Sequence, residues 1–428
     1  MAFFICANCG FGSATYLGKC PDCGKWGTLT KHAEEKAGTR KTDKTEKLVS
    51  KNLKDVVVKS KSRLTTGLFE FDRVLGGGFV GGEIILLTGE PGIGKSTLLL
   101  QSLEHLNSLY ISGEESAEQI KERAMRLKID LKKFLFSDTL QVEGIVEGAK
   151  EMGAKIDVLV IDSIQTIYSK LQDGAPGSPS QLKEVTLQLV RMAKEHHIPI
   201  ILIGHITKDG DVAGPKMVEH MVDAVLVFEG EKVSHFRILR AQKNRFGSTD
   251  EIGIFEMKGT GLHEVKDPLA FIEDDPTGHV PGKALAGVVE GNRSLFFEIQ
   301  SLASPTTLPM PRRVVKGVDY NKVQLLLAVI RKHLNITLEN FDIFINVVGG
   351  VEIKSTAVDL AIIASLVSSI KNTPLARRAL FVGEVGLLGE IRAVYGQEKI
   401  LTEAKRLLFT PLYSSKTIKN IVNLKKLI

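Results

Sequence analysis

The sequence predicts an α/β protein: a mostly parallel sheet covered by helices, preceded by a small metal-stapled module and followed by a separate α+β domain. Three observations predict it. All four cysteines fall between residues 6 and 23, apolar runs alternate with helical patterns from Leu64 to about Lys266, and from Asp267 to Ile428 that alternation gives way to a less regular order. At about 150 residues per domain, a chain of 428 residues holds about three domains, and 43% hydrophobic residues exclude disorder throughout. The net charge is +6; residues 1–63 carry 13 basic and 6 acidic side chains, so the remainder is close to −1. The positive charge therefore sits at the N-terminus. No run reaches about eighteen apolar residues, and the start MAFFICANCG lacks the basic n-region and long apolar h-region of a signal peptide. The expectation is a soluble, cytoplasmic protein with no membrane partner.

Residues 1–30 hold the first element. Cys6-x2-Cys9 and Cys20-x2-Cys23 supply two chelating pairs ten residues apart, the spacing of a tetrahedral zinc site. Disulfides are the alternative, but a reducing compartment disfavours them. Four sulfur ligands leave zinc no open position, so the metal is expected to hold the fold and perform no chemistry. Gly10 and Gly24, each following a pair, fit a rubredoxin-like knuckle. Trp26, the only tryptophan, is expected to pack as a lid over so small a core, with base stacking as the other reading. Residues 31–63 are rich in Lys, Glu, Thr and Ser and read as a basic flexible linker.

Residues 64–266 read as βαβ units. EIILLTG, NSLYISG, IDVLVID and IPIILIGH are strand-like, and STLLLQSLEHL, AEQIKERAMRL and LKEVTLQLVRMAKEHH are helical. Gly89-Glu90-Pro91-Gly92-Ile93-Gly94-Lys95-Ser96 fits G-x4-G-K-[ST] between a strand and a helix, the context a phosphate-binding loop requires. The motif predicts ATP with Mg2+: backbone amides wrap the phosphates, Lys95 neutralises the β- and γ-phosphates, Ser96 ligates magnesium, and Thr97 lies near the α-phosphate. Asp162 ends the strand DVLVID, where a carboxylate completes the magnesium shell. The turn SGEES offers Glu114 and Glu115 to orient the attacking water, and Glu114 is chosen. His205, at the tip of IPIILIGH, is a γ-phosphate sensor or a structural histidine. The Gly-rich polar segments TKDGDVAGP, bounded by Lys208 and Lys216, and LQDGAPGSPSQLK read as loops whose backbone donors and few cations suit sequence-independent phosphate contact.

The succession GEPGIGKST, YISGEES, LVIDSIQT, IGHITKDGDVAGPK and KNRFGSTDEIGIFEM resembles the RecA/DnaB-like core of motor ATPases. Joined to the four-cysteine knuckle, it resembles the RadA/Sms family of bacterial DNA repair and recombination proteins over essentially the whole chain. The resemblance implies a homo-hexameric ring with ATP between subunits, so that Lys243 and Arg245 of Lys243-Asn244-Arg245-Phe246-Gly247 reach a neighbour's nucleotide; a solvated strand end is the alternative. It also implies single-stranded and branched DNA and a RecA-type recombinase as partners.

In residues 267–428, GKALAGVVEG and RSLFFEIQSLAS read as hairpin strands, KVQLLLAVIRKHL as an amphipathic helix and STAVDLAIIASLVSSI as a buried one. STAVDLAIIASLVSS and FVGEVGLLGEIRAVYGQEKI resemble the proteolytic domain of Lon, in the ribosomal-protein-like fold. Lon proteases use a Ser nucleophile with a Lys base; here Ala357 and Glu398 occupy those positions. The resemblance therefore implies the fold without the protease, serving ring assembly and DNA contact, the latter through Arg312, Arg313 and Lys316. The leading expectation is an ATP-dependent DNA translocase driving branch migration in homologous recombination. Its alternative is a regulatory RecA-like ATPase that switches a protein partner and moves nothing.

Overall fold

A computed structural model of the chain describes residues 3–6, 12–13, 15, 17–21, 23–32, 52, 54, 63–205, 213–230, 235–272, 280–307 and 310–426. The chain divides into two units, residues 1–60 and 61–428. In the first, β1 (Phe3–Cys6) pairs antiparallel with both β2 (Gly12–Ser13) and β3 (Leu29–His32). Among the described residues Cys6, Cys20 and Leu29 are buried together, with Phe4 and Cys23 partly buried against them. Most of the predicted linker lies outside the described residues, as do Cys9, Gly10 and Lys208.

The second unit contains two large sheets. Helix α1 (Phe69–Leu75) leads into β4 (Ile84–Gly89), α2 (Lys95–Ser102), β5 (Ser108–Ser112), α3 (Ala117–Leu127), β6 (Phe134–Ser137), α4 (Val142–Met152) and β7 (Val158–Asp162). There follow α5 (Pro179–His196), β8 (Ile200–His205), α6 (Ala213–Met221), β9 (Ala224–Glu229), β10 (Phe236–Asn244), β11 (Ile252–Lys258) and β12 (Gly261–Glu264). They form a nine-stranded sheet in the order β12-β11-β10-β9-β4-β8-β7-β5-β6. From β6 to β9 every pairing is parallel, and β10 to β12 extend it antiparallel. Strands β4 and β7 are buried at every position, as continuous apolar runs covered on both faces should be. Residues of α1, α2 and α3 pack on one face and those of α4, α5 and α6 on the other.

The other sheet uses β13 (Lys283–Glu290), β14 (Arg293–Pro305), β15 (Arg313–Lys316), α7 (Tyr320–Leu334), β16 (Phe341–Val347), α8 (Asp359–Lys371), β17 (Leu380–Val382), β18 (Glu384–Val385), β19 (Ile391–Arg392), α9 (Gln397–Arg406) and β20 (Leu412–Ser414). Its order is β15-β16-β14-β13-β17-β20, and β18 and β19 form a separate small hairpin. The β13–β14 hairpin is antiparallel in register Ala286↔Phe297. Helix α8 has ten consecutive buried residues, Asp359 to Ser368. Ile238 of β10 and Ile252 and Ile254 of β11 join Phe296, Leu326 and Ile363 in one apolar cluster. The antiparallel extension of the nine-stranded sheet thus shares its core with the C-terminal domain. Among the described residues no helix is long and apolar enough to cross a membrane.

Candidate functional site

The phosphate-binding loop connects β4 to α2, and two of its glycines are required sterically. A Cβ on Gly94, whose φ is +112°, would lie 2.7 Å from Met257 Cε, and one on Gly89 would lie 2.5 Å from the Phe228 carbonyl oxygen. Beneath the loop, Arg237 donates from Nε to the Ile93 carbonyl at 3.2 Å. Lys95 is buried and donates to the carbonyls of Gly89 (2.8 Å) and Glu90 (3.1 Å). Burial pulls its pKa down, while Asp162 and Glu114 oppose the shift.

Strands β4, β8, β7 and β5 run parallel, so their carboxyl ends converge on one side of the sheet, at the point where strand order reverses about β4. Ser96 Oγ donates to Asp162 Oδ2 at 3.0 Å, and the Tyr110 hydroxyl donates to the same oxygen at 2.5 Å. Burial raises the Asp162 pKa, and these two hydrogen bonds resist the rise. Tyr110, fully buried beside that carboxylate, is pushed well above the usual phenol range by desolvation. Just past β5, Glu114 accepts from the Ser163 hydroxyl at 2.5 Å. Glu115 instead takes both nitrogens of Arg123, at 2.5 and 2.7 Å. Lys95, Ser96, Asp162 and Glu114 are therefore brought together, with Glu115 held by its own cation. Pattern reading passed over Tyr110, Arg123 and Ser163. Ser163 had a signal in its adjacency to Asp162; the other two look like an ordinary strand residue and an ordinary helix cation.

The remaining candidates are spread more widely. Only the backbone of His205 is described, at the end of β8. Lys243 Nζ donates to the carbonyls of Glu219 and Val222, both at 2.8 Å, at the C-terminal end of α6. Arg245 pairs with Asp223 at 3.3 Å, and Asp223 also holds Lys194 at 2.7 Å. Lys216 is exposed on α6. On the edge strand β15 and the residue before it, Arg312 and Lys316 are exposed. Arg313 alternates away from them, and its guanidinium donates to the carbonyls of Phe341 (2.5 Å) and Leu338 (2.8 Å). Ala357 is buried in the turn before α8, and Glu398 is exposed and paired with Lys416 at 2.6 Å.

In the first unit the sulfurs of Cys6, Cys20 and Cys23 all lie within 4.8 Å of one another, and Cys6 Sγ is 3.7 Å from Cys23 Sγ. Sulfurs bound tetrahedrally to zinc at about 2.3 Å stand about 3.8 Å apart, so these three fit the ion. The knuckle closes through Gly24 N donating to Cys20 O at 2.9 Å, with Gly24 at φ +70°. The Thr28 hydroxyl, not singled out by the cysteine spacing, lies 3.2 Å from Cys6 Sγ. Trp26 departs from the packing expectation. It is 75% exposed, with Lys19 Nζ 5.7 Å from its ring centre, because the buried cluster of Cys6, Cys20 and Leu29 is too small to cover an indole.

Comparison with known proteins bears on both sites. Residues 64–155 match the family described as the KaiC ATPase, and residues 4–31 match a rubredoxin metal-binding domain. The ATP-binding ATPase domain and the zinc ribbon are thereby assigned. Among solved structures, the RadB recombinase is one to which the chain is similar (23% identity, TM-score 0.39, covering 47% of this chain and all of that one). A KaiC-like protein from Pyrococcus horikoshii is another (23%, TM-score 0.41, 48% and 99%). The DNA repair protein RadA of Bacillus subtilis is 44% identical, over 95% of this chain and 90% of its own length. That of Pseudomonas aeruginosa is 43% identical, over 93% and 89%. That of Streptococcus pyogenes serotype M1 is 46% identical over 97% of this chain and 92% of its own length. With identity of that order running from zinc ribbon to C-terminal domain, the chain belongs to the RadA family of DNA repair proteins.

Proposed function

We propose that the protein is an ATP-dependent DNA translocase that promotes branch migration of recombination intermediates, working as a homo-hexameric ring beside a RecA-type recombinase. The observation that carries this reading is the convergence of Lys95, Ser96, Asp162 and Glu114 at the carboxyl ends of neighbouring strands in a DNA repair family member. Ser96 and Asp162 are disposed to hold Mg2+: their oxygens are 3.0 Å apart, and a dication would offset the burial that now raises the Asp162 pKa. Magnesium, when bound, supplies charge neutralisation at the β- and γ-phosphate oxygens. Lys95 would exchange its loop carbonyls for phosphate oxygens, and Glu114 would orient the attacking water.

Lys243 and Arg245 would act across the subunit boundary, trading the carbonyls of α6 and the Asp223 carboxylate for a neighbour's phosphates. The exposed Lys216, Arg312 and Lys316 suit sequence-independent contact with DNA phosphates. Ala357 and Glu398 leave the C-terminal domain without a Ser–Lys pair, which supports a scaffold role. The test is ATP hydrolysis with and without single-stranded DNA, followed by displacement of a labelled strand from a branched substrate. DNA should raise turnover, and the rise should fade with salt as phosphate contacts are screened. Turnover indifferent to DNA, with no strand displacement, would leave the regulatory ATPase in its place.

A further inference from the structure

A cavity of about 630 Å³ opens beside the phosphate-binding loop, within the range of ordinary ligand pockets. Gly89, Glu90 and Ile93 line one side, and the end of β9 with Phe236 and Ile238 of β10 forms the floor. The far wall is built by the C-terminal domain, from Gly350 to Lys354. That wall is fixed in place. Gly349, at φ +88°, sits so close to the Phe236 and Phe271 rings that a Cβ would meet both at 3.3 Å. Arg240 of β10 is clamped between Glu229 of β9 (3.1 Å) and Glu290 of the C-terminal hairpin (2.6 Å).

The sheet order says what the cavity is for. Asp162 and Glu114 lie on the β7 and β5 side of β4, so a terminal phosphate directed at them leaves the rest of the nucleotide running the opposite way, over β9. The cavity lies on that side. Val227, Phe228, Phe236 and Ile238 offer an apolar surface for a purine ring face beside the Arg240 ion pairs, and the far wall presents two exposed opposite charges, Glu352 and Lys354, with no hydrogen-bond or ion-pair partner among the described residues. A carboxylate accepts from paired ribose hydroxyls and an ammonium donates to purine ring nitrogens.

We propose that the C-terminal domain completes the ATP site of its own chain, the 349–354 loop holding the base and ribose through Glu352 and Lys354. The inference rests on ATP occupying the phosphate-binding loop. It gives the protease-like domain a part in reading the nucleotide, and it places the coupling between the two domains at the Arg240–Glu290 clamp. The experiment compares ATP with inorganic tripolyphosphate, which has the phosphate tail and no nucleoside, in calorimetric titrations of the full chain with Mg2+. In the double variant Glu352→Ala/Lys354→Ala, ATP should bind about tenfold more weakly, with KM rising and kcat nearly kept, while tripolyphosphate binding stays as in the unaltered protein. Equal weakening of both ligands, or ATP binding that does not change, would overturn the proposal. Failure of the unaltered protein to bind either ligand would overturn the phosphate-loop reading itself and the proposal with it.

Discussion

Glu114 and Glu115 are adjacent in sequence, yet their side chains have different tasks available to them. Arg123 grips Glu115 through two hydrogen bonds, an arrangement that fixes a side chain and neutralises it. Glu114 accepts from the Ser163 hydroxyl, and its charge acts on both Lys95 and Asp162. Glu114→Gln should therefore keep ATP binding and lose turnover by about 100-fold or more, the scale of losing a positioned base; the reverse result, with Glu115→Gln the dead enzyme, would exchange their roles. Lys95→Ala should abolish turnover without unfolding the core, and near-normal hydrolysis in that variant would remove the phosphate-loop assignment. Glu83, at the entrance to β4, offers a pH test. It is fully buried, and desolvation raises its pKa from 4.5 to about 7, with the Val80 N–H donating to its carboxylate at 3.0 Å. Below pH 4.5 the carboxyl is neutral folded or unfolded and costs nothing. Between pH 4.5 and 7 the unfolded chain releases its proton first, so folded stability falls, and above pH 7 the cost is complete. Glu83→Gln keeps the acceptor for Val80 and removes the charge, so its gain in unfolding free energy over the wild type, from urea titrations, should be larger at pH 8 than at pH 5, by about 1–3 kcal/mol. Equal differences at both pH values would contradict the assignment.

At the scale of elements, the zinc module is the simplest case. Its core among the described residues is Cys6, Cys20 and Leu29 with Phe4 and Cys23 against them, too little apolar surface to hold three short strands without the metal. Chelation, or Cys20→Ser, should unfold residues 4–31 while ATP hydrolysis by residues 64–428 continues, as circular dichroism and an ATPase assay on the same sample would report. Less than one zinc per chain in protein purified without chelator would contradict the site. This module was legible because cysteine spacing is a direct statement of ligand geometry. Length decides the apolar runs: β4, β7 and β8 are of strand length and α8 of helix length. Less legible were β6, α4 and β10. FLFS is short, VEGIVEGAKEM carries two glycines, and RILRAQKN alternates cations with apolar residues, so none announces itself by composition. Their identity comes from tertiary position: β10 has cations because Arg240 and Lys243 have partners on β9, β13 and α6. The phosphate-loop chemistry was readable for the same reason the knuckle was, since motif spacing encodes it. Tyr110 and Arg123 were not, because their roles depend on strands and helices meeting 52 and 8 residues away in sequence.

At the scale of the whole molecule, Lys243 and Arg245 have two roles to be told apart, one within their own chain and one toward the next. Within one chain Lys243 satisfies carbonyls at the end of α6, where a cation is favoured by the exposed C=O groups. Burial and the neighbouring Arg245 lower its pKa, a cost that a second chain's triphosphate would relieve by supplying negative charge. The two roles separate in a mixing experiment. If Lys243 is only a helix cap, Lys243→Ala lowers thermal stability, and its ATPase defect, if any, stays with the subunit that carries it. If it acts in trans, Lys243→Ala binds ATP normally and fails to couple it to DNA movement, while rings mixed from Lys95→Ala and Lys243→Ala subunits recover part of the activity. Recovery arises because some interfaces then join an intact Lys95 of one subunit to an intact Lys243 of its neighbour, and it should peak near equal proportions. Mixed rings that form by light scattering yet stay inactive at every ratio would assign the cluster to the fold of its own subunit, and the C-terminal end of α6 would be its whole purpose.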